Sequence, residues 1–270
     1  MKHGPSSLST SDFVMENGRR SIRHLLEPLK QEARIREDAF GFVTAEGERH
    51  FIPRFSFRGP NSRDAIHIGI FAAIHGDEPV GALALVRFLL DLAKEPSLAE
   101  NYLISAYPIC NPTGFEDNTR HSRSGRDLNR EFWKSSNEAE VQILENELRT
   151  QRFKGIIQLH ADDTSEGIYG FVRGATLTEG LLRPALAEAG KTLPRNRNPL
   201  IDGFAAQDGI IYDHYEGVLA APEQISPVPF EIIFETPHFA PMERQVEASD
   251  VFLRTVLAEY RRLISFAQDI

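Results

Sequence analysis

Ile66-His-Ile-Gly-Ile-Phe-Ala-Ala-Ile-His-Gly-Asp-Glu-Pro-Val80 decides how the chain folds. Its first nine residues are apolar apart from His67, rich in isoleucine, and of the length of a buried strand. The run stops at His75-Gly-Asp-Glu78. Pro79 then stands where a helix favours proline, and apolar residues recur at helical spacing from Val80 to Leu92. His75 and Glu78 therefore lie on a strand-to-helix turn, the usual place for a site in an open α/β sheet. Imidazole nitrogen and carboxylate oxygen both suit zinc, and Gly76 lets the backbone turn so that both face one point. A capping loop, with acidic residues at the helix N-terminus, is the plainer alternative. A third ligand separates the two.

Downstream, Asn101 to Cys110 reads as a second strand, so strand, helix and strand form a parallel βαβ unit. Asn111-Pro-Thr-Gly114 ends it with turn chemistry. Residues 115–130 follow, Phe-Glu-Asp-Asn-Thr-Arg-His-Ser-Arg-Ser-Gly-Arg-Asp-Leu-Asn-Arg, with four arginines and almost nothing apolar. Such a run is a solvated loop or a clamp for carboxylate and developing negative charge, which the planar guanidinium fork suits. Because it leaves directly from a strand end, the clamp is the favoured reading.

A helix is expected over Glu138 to Gln151, then a third strand, Phe153 to His160, which like the first runs apolar and ends in histidine. His75, Glu78 and His160 together make a His₂Glu set, an open three-ligand arrangement for catalytic zinc. Asp162 and Asp163 follow His160 as carboxylates able to orient its ring. Pro229-Phe-Glu-Ile-Ile-Phe-Glu235-Thr-Pro237 is a fourth apolar strand that places Glu235 with the histidines if the strands run parallel; Glu231 points to the same face from deeper in the strand. A helix near Leu181 to Ala189, a loop from Pro194 to Asp202, a strand edge or mobile loop over Ile210 to Glu216 carrying Tyr212 and Tyr215, and a long helix from Pro241 complete this half. Upstream, Arg20 to Glu37 reads as an amphipathic helix, and residues 39–57 as short strands parted by Glu46-Gly47. Residues 1–60 are expected to pack on, or append to, a catalytic domain over 61–270.

Thirty basic and 39 acidic residues give a net charge of −9, which argues against nucleic acid or an anionic membrane as a partner. A single cysteine, Cys110, excludes an intramolecular disulfide framework. The N-terminal stretch has no apolar core of a secretory signal, and no apolar run is long enough to span a membrane, so a cytoplasmic location is the expectation.

His75-Gly-Asp-Glu78, Asn111-Pro-Thr-Gly114, Asp127-Leu-Asn-Arg130, His160 and Phe234-Glu-Thr-Pro237, in that order, resemble the zinc metallocarboxypeptidases of the funnelin superfamily. The resemblance spans about residues 64–240. Absent disulfides and a short chain make it more similar to the small bacterial branch near murein-peptide amidases and the succinylglutamate desuccinylase/aspartoacylase group. It implies an α/β fold of three layers, α/β/α, with a mixed sheet of about eight strands and the metal at the strand C-termini. It further implies one Zn²⁺ per chain on His75, Glu78 and His160, with Glu235 as the catalytic glutamate and Asn129 and Arg130 on the substrate's terminal carboxylate. Arg123 matches best the arginine that stabilises the oxyanion, with Arg120 its competitor. Tyr212 and Tyr215 both fall where the family carries a mobile tyrosine; Tyr212 is taken as the substrate-binding one.

These roles imply hydrolysis of an amide bond next to a free carboxylate, in a small peptide of the cell-wall type or, alternatively, in an N-acyl amino acid. Two rivals remain: a metal- or anion-binding module without catalysis, and a two-metal site using Asp162, Asp163 or His121.

Overall fold

A computed structural model describes residues 13, 15–16, 18–213 and 215–268; the polar start expected over residues 1–20 lies mostly outside the described residues. In chain order a small ladder pairs β1 (Met15–Glu16) with β2 (Arg19–Arg20), followed by α1 (Ile22–Lys30) and the long hairpin β3 (Ile35–Ala45) and β4 (Glu48–Arg58). Next come β5 (Ile66–Ala72), α2 (Pro79–Lys94), β6 (Tyr102–Tyr107), α3 (Pro112–Asp117), α4 (Ala139–Thr150), β7 (Gly155–Asp162) and β8 (Tyr169–Val172). A short α5 (Ala175–Leu177) leads through a π turn into α6 (Arg183–Ala189). The chain closes with β9 (Leu200–Ile201), β10 (Phe204–Gln207), β11 (Ile210–Ile211), β12 (Phe230–Pro237) and α7 (Met242–Gln268).

Among the described residues ten strands form one mixed sheet in the order β3-β4-β6-β5-β7-β12-β8-β11-β10-β9. Its centre, β6, β5, β7 and β12, is parallel. These strands are buried on both faces, which is why each reads as a nearly continuous apolar run. The count exceeds the expected eight because the β3–β4 hairpin joins one edge through β6 and three very short strands extend the other. Hence residues 35–58 belong to the same sheet as the site. The helix expected over Arg20 to Glu37 stops at Lys30, since from Ile35 the backbone pairs with β4.

Helices cover both faces, giving the three layers. Leu25, Leu26 and Leu29 of α1, the buried length of α2, and apolar residues of α6 and α7 pack one face with Ile68, Ile70 and Phe234. Val141, Leu144 and Leu148 of α4 pack the other against Phe71, Tyr107 and Phe153. β5 is the switch point: its helix crosses to β6 on one side while β7 lies on the other, opening a crevice at the strand C-termini. Among the described residues no helix is long and apolar enough to cross a membrane.

Candidate active site

Beyond the end of β5 the backbone stays anchored, with the N–H groups of Cys110 and Asn111 donating to the carbonyls of Ala72 and Ala73 at 3.0 Å each. The chain then reverses through Ala73, whose φ of 48° is left-handed. Gly76 serves a different purpose from the tight turn expected of it. A Cβ there would lie 1.9 Å from the Gly114 carbonyl carbon, so glycine is needed for close approach to α3. Asn111 caps α3 by accepting from Gly114 N–H at 2.9 Å, and its amide donates to Ile74 O at 3.3 Å and Arg120 O at 3.4 Å. The Asn-Pro-Thr-Gly stretch thus ties the His75–Glu78 loop to the arginine loop.

His75, Glu78 and His160 are all buried, and their ligand atoms lie within 4.8 Å of one another. His75 Nδ1 is 2.6 Å from Glu78 Oε1, and His160 Nδ1 is 3.0 Å from Oε2, which also accepts the Ala161 N–H at 3.1 Å. Behind His75, Nε2 faces the Asp127 carboxylate, with Oδ1 at 3.2 Å. Burial works against charge at His75, yet Glu78 and Asp127 hold its imidazole up at about 9. Burial likewise opposes the Glu78 carboxylate, which His75 and His160 nevertheless keep well below the usual range. Burial pulls His160 down. Two imidazoles turned onto one carboxylate, with a further carboxylate behind one ring, form a pocket for positive charge. That donor set fits a metal of zinc's kind.

Glu235 of β12 stands opposite His160 of β7 in the parallel register and opposite Tyr169 of β8 on its other side. Burial, then the charges of Glu78, Asp162 and Asp202, push its carboxyl well above the ordinary range. Glu231, deeper in the strand, accepts the Ala221 N–H at 2.5 Å and so fastens a loop. Glu235 and the histidines line a cleft of about 270 Å³ together with Arg120, Asn129 and Arg130.

The polar run 115–130 divides into two. Arg120 enters the cleft, pairing with Asp127 Oδ2 at 3.0–3.1 Å and approaching Glu78 at 3.6 Å. Arg123, expected there, lies outside the cleft. Its guanidinium is 8% exposed and is held by Asp117 at 2.6 and 3.0 Å, Glu116 at 3.4 Å and His50 at 3.1 Å. Asn129 is buried and accepts the Leu219 N–H at 2.9 Å, whereas Arg130 is exposed, 6.0 Å from the Tyr215 ring.

The two tyrosines separate in the same way. Tyr212 is 54% exposed and faces Arg183, outside the cleft, because it directly follows β11 on the short-stranded flank. Tyr215 lines the cleft, its hydroxyl donating to Asp202 at 3.0 Å. For a second metal, Asp162 is already engaged by Thr164 and the Tyr169 hydroxyl, and His121 is not part of the cleft wall. Among the described residues His75, Glu78 and His160 form the metal-ligating cluster.

Asp127 and Tyr169 belong to the site without having been singled out from the sequence. Asp127 was visible as the first letter of its motif. Tyr169 gave no signal, since only antiparallel pairing of β8 with β12 brings it beside Glu235.

Residues 64–188 match the model of the succinylglutamate desuccinylase/aspartoacylase catalytic domain. A metallopeptidase candidate from Shewanella denitrificans superposes with a TM-score of 0.72 at 22% identity, over 88% of this chain and 89% of that one. The matched stretch, just under half of the chain, is similar to that catalytic domain, and the superposed structure shares the fold. A metallo-carboxypeptidase from Burkholderia cenocepacia superposes with a TM-score of 0.66 at 16% identity, over 89% of this chain and 68% of the other. One from Pseudomonas aeruginosa, in complex with (2-guanidinoethylmercapto)succinic acid, does so at 0.58 with 19% identity, over 88% and 68%. At such identities the likeness is one of fold. No curated protein matches the chain.

Proposed function

We propose that the protein is a zinc-dependent hydrolase that cuts an amide bond beside a free carboxylate, carboxypeptidase fashion, in a small peptide. One observation carries this reading: a buried His₂Glu set, a carboxyl of raised pKa and two arginines open into the same cleft. His75, Glu78 and His160 would hold the metal, which would supply a Lewis acid and make water easier to deprotonate near neutral pH. Glu235 takes a proton from the attacking water and returns it to the leaving amine. Arg120, rather than Arg123, faces the oxygen on which negative charge develops. Arg130, open to solvent, grips the substrate carboxylate beside Asn129. The succinic acid derivative bound by the Pseudomonas neighbour is consistent with a cleft built for carboxylates.

A second reading, deacylation of N-acyl amino acids, is supported by the family model matched over residues 64–188. A substrate panel separates the two. Peptides with free C-termini, set against the same peptides amidated and against N-acetyl and N-succinyl amino acids, should be cleaved preferentially, with amidation lowering kcat/KM. Preferential cleavage of the acyl amino acids would transfer the assignment to the deacylase.

A further inference from the structure

Gly76 lies between the two nearest members of the metal set, and its carbonyl is held from a part of the chain that the matched family model does not reach. Arg20, on β2, donates from Nη1 to Gly76 O at 2.8 Å and from Nη2 to Asn118 Oδ1. Gly76 belongs to the loop that presents His75 and Glu78; Asn118 caps the C-terminus of α3 and lines the cleft. One guanidinium therefore bridges two walls of the site. It is also confined: its centre lies 5.2 Å from the Phe13 ring and 5.4 Å from the Phe115 ring, and those rings meet edge to face at 6.0 Å. Burial pulls Arg20 down to about 10, against the opposing charge of Asp77, whose Oδ1 is buried without a hydrogen bond.

The backbone makes this contact consequential. Gly76 is pressed against Gly114 of α3, and Arg20 fastens the same peptide to the far end of α3. Turning the Gly76 peptide would swing His75 and Glu78 apart, because they flank it on either side. We infer that Arg20 is a positioning residue for the metal centre, fixing the Gly76 carbonyl and with it the spacing of His75 and Glu78. The inference rests on the metal reading proposed above. Lysine at this position keeps a charge but has neither the planar fork to reach both acceptors nor the flat face for two rings. Arg19 is its natural control. It pairs with Asp117 at 3.1 Å and Glu48 at 3.5 Å and has no bond to the Gly76 loop.

Full-length wild type, Arg20→Ala, Arg20→Lys and Arg19→Ala are stripped of metal and titrated with Zn²⁺ against a chromophoric chelator. Co²⁺ absorption spectra and metal-free thermal melts are recorded in parallel. Arg20→Ala should bind Zn²⁺ about 10–100-fold more weakly, the cost expected of an outer-shell partner. Its Co²⁺ bands should change in position or intensity, and its metal-free melt should stay close to that of Arg19→Ala. Arg20→Lys should fall between, and it carries the test alone if the alanine variant does not fold. Wild-type Zn²⁺ affinity and an unchanged Co²⁺ spectrum in the folded Arg20 variants would overturn the inference. So would Arg19→Ala weakening the metal as much as Arg20→Ala, since that makes the effect a general loosening of the N-terminal segment. Failure of the wild type itself to bind Zn²⁺ or Co²⁺ would overturn the metal reading, and this inference with it.

Discussion

Arg120 and Arg123 are three residues apart in one polar run, and their surroundings have nothing in common. Arg120 stands on the cleft wall, where burial is countered by Asp127 and Glu78 and its head remains available to a ligand. Arg123 is enclosed by Asp117, Glu116 and His50 beside the β3–β4 hairpin, with its donors consumed. The first is placed for chemistry and the second for holding the loop to the hairpin. A charged residue's role depends on which of its donors the fold leaves unspent.

That contrast can be broken by substitution. Glu235→Gln, which keeps the cleft's shape and removes its base, should lower kcat by about 10²–10⁴ while metal content is unchanged. Wild-type turnover in that variant would remove Glu235 from the proposed mechanism. Arg120→Ala should cost about 10²–10³ in kcat, the usual loss for an oxyanion donor, with little change in melting temperature. Arg123→Ala should do the opposite, leaving kcat within about threefold but losing about 1–3 kcal/mol of stability in denaturant unfolding, since acidic partners are left behind. Reversed phenotypes would return the oxyanion role to Arg123. The pH dependence of the second effect has a definite sign. The hydrogen bond from Arg123 holds Asp117 below its ordinary range, so this stabilisation is complete above about pH 4 and lost in stronger acid. The stability gap between Arg123→Ala and wild type should therefore narrow as the pH falls below 4.

Much of the centre was legible because three of the parallel strands are apolar runs with an ionisable residue at or just beyond the C-terminal end. His75 lies just beyond β5, His160 and Glu235 lie near the C-terminal ends of β7 and β12, and the sheet register sets Glu235 across from His160. The divergence of Arg120 from Arg123 was not legible. Both lie in a loop without periodicity, and their partners, His50 on β4 and Glu78 at the head of α2, are distant in sequence. The same holds for the tyrosines. Tyr215 reaches the cleft because its hydroxyl meets Asp202 on the turn between β9 and β10, and its ring packs on Phe204 at 4.9 Å. Spacing along the chain carries no record of that pairing. Tyr215→Phe should accordingly raise KM by a few-fold at most, and Tyr212→Phe should leave both constants unchanged in the same steady-state assay; a larger effect at Tyr212 would mean that this loop rearranges when substrate binds.

Metal content per chain, measured by elemental analysis on wild type and His160→Ala, tests the central claim most directly. About one zinc per chain in the wild type, lost or much reduced in the variant at unchanged fold, is the predicted result. Wild-type protein that carries no metal after purification without chelators, and takes up none when zinc is added, would contradict it.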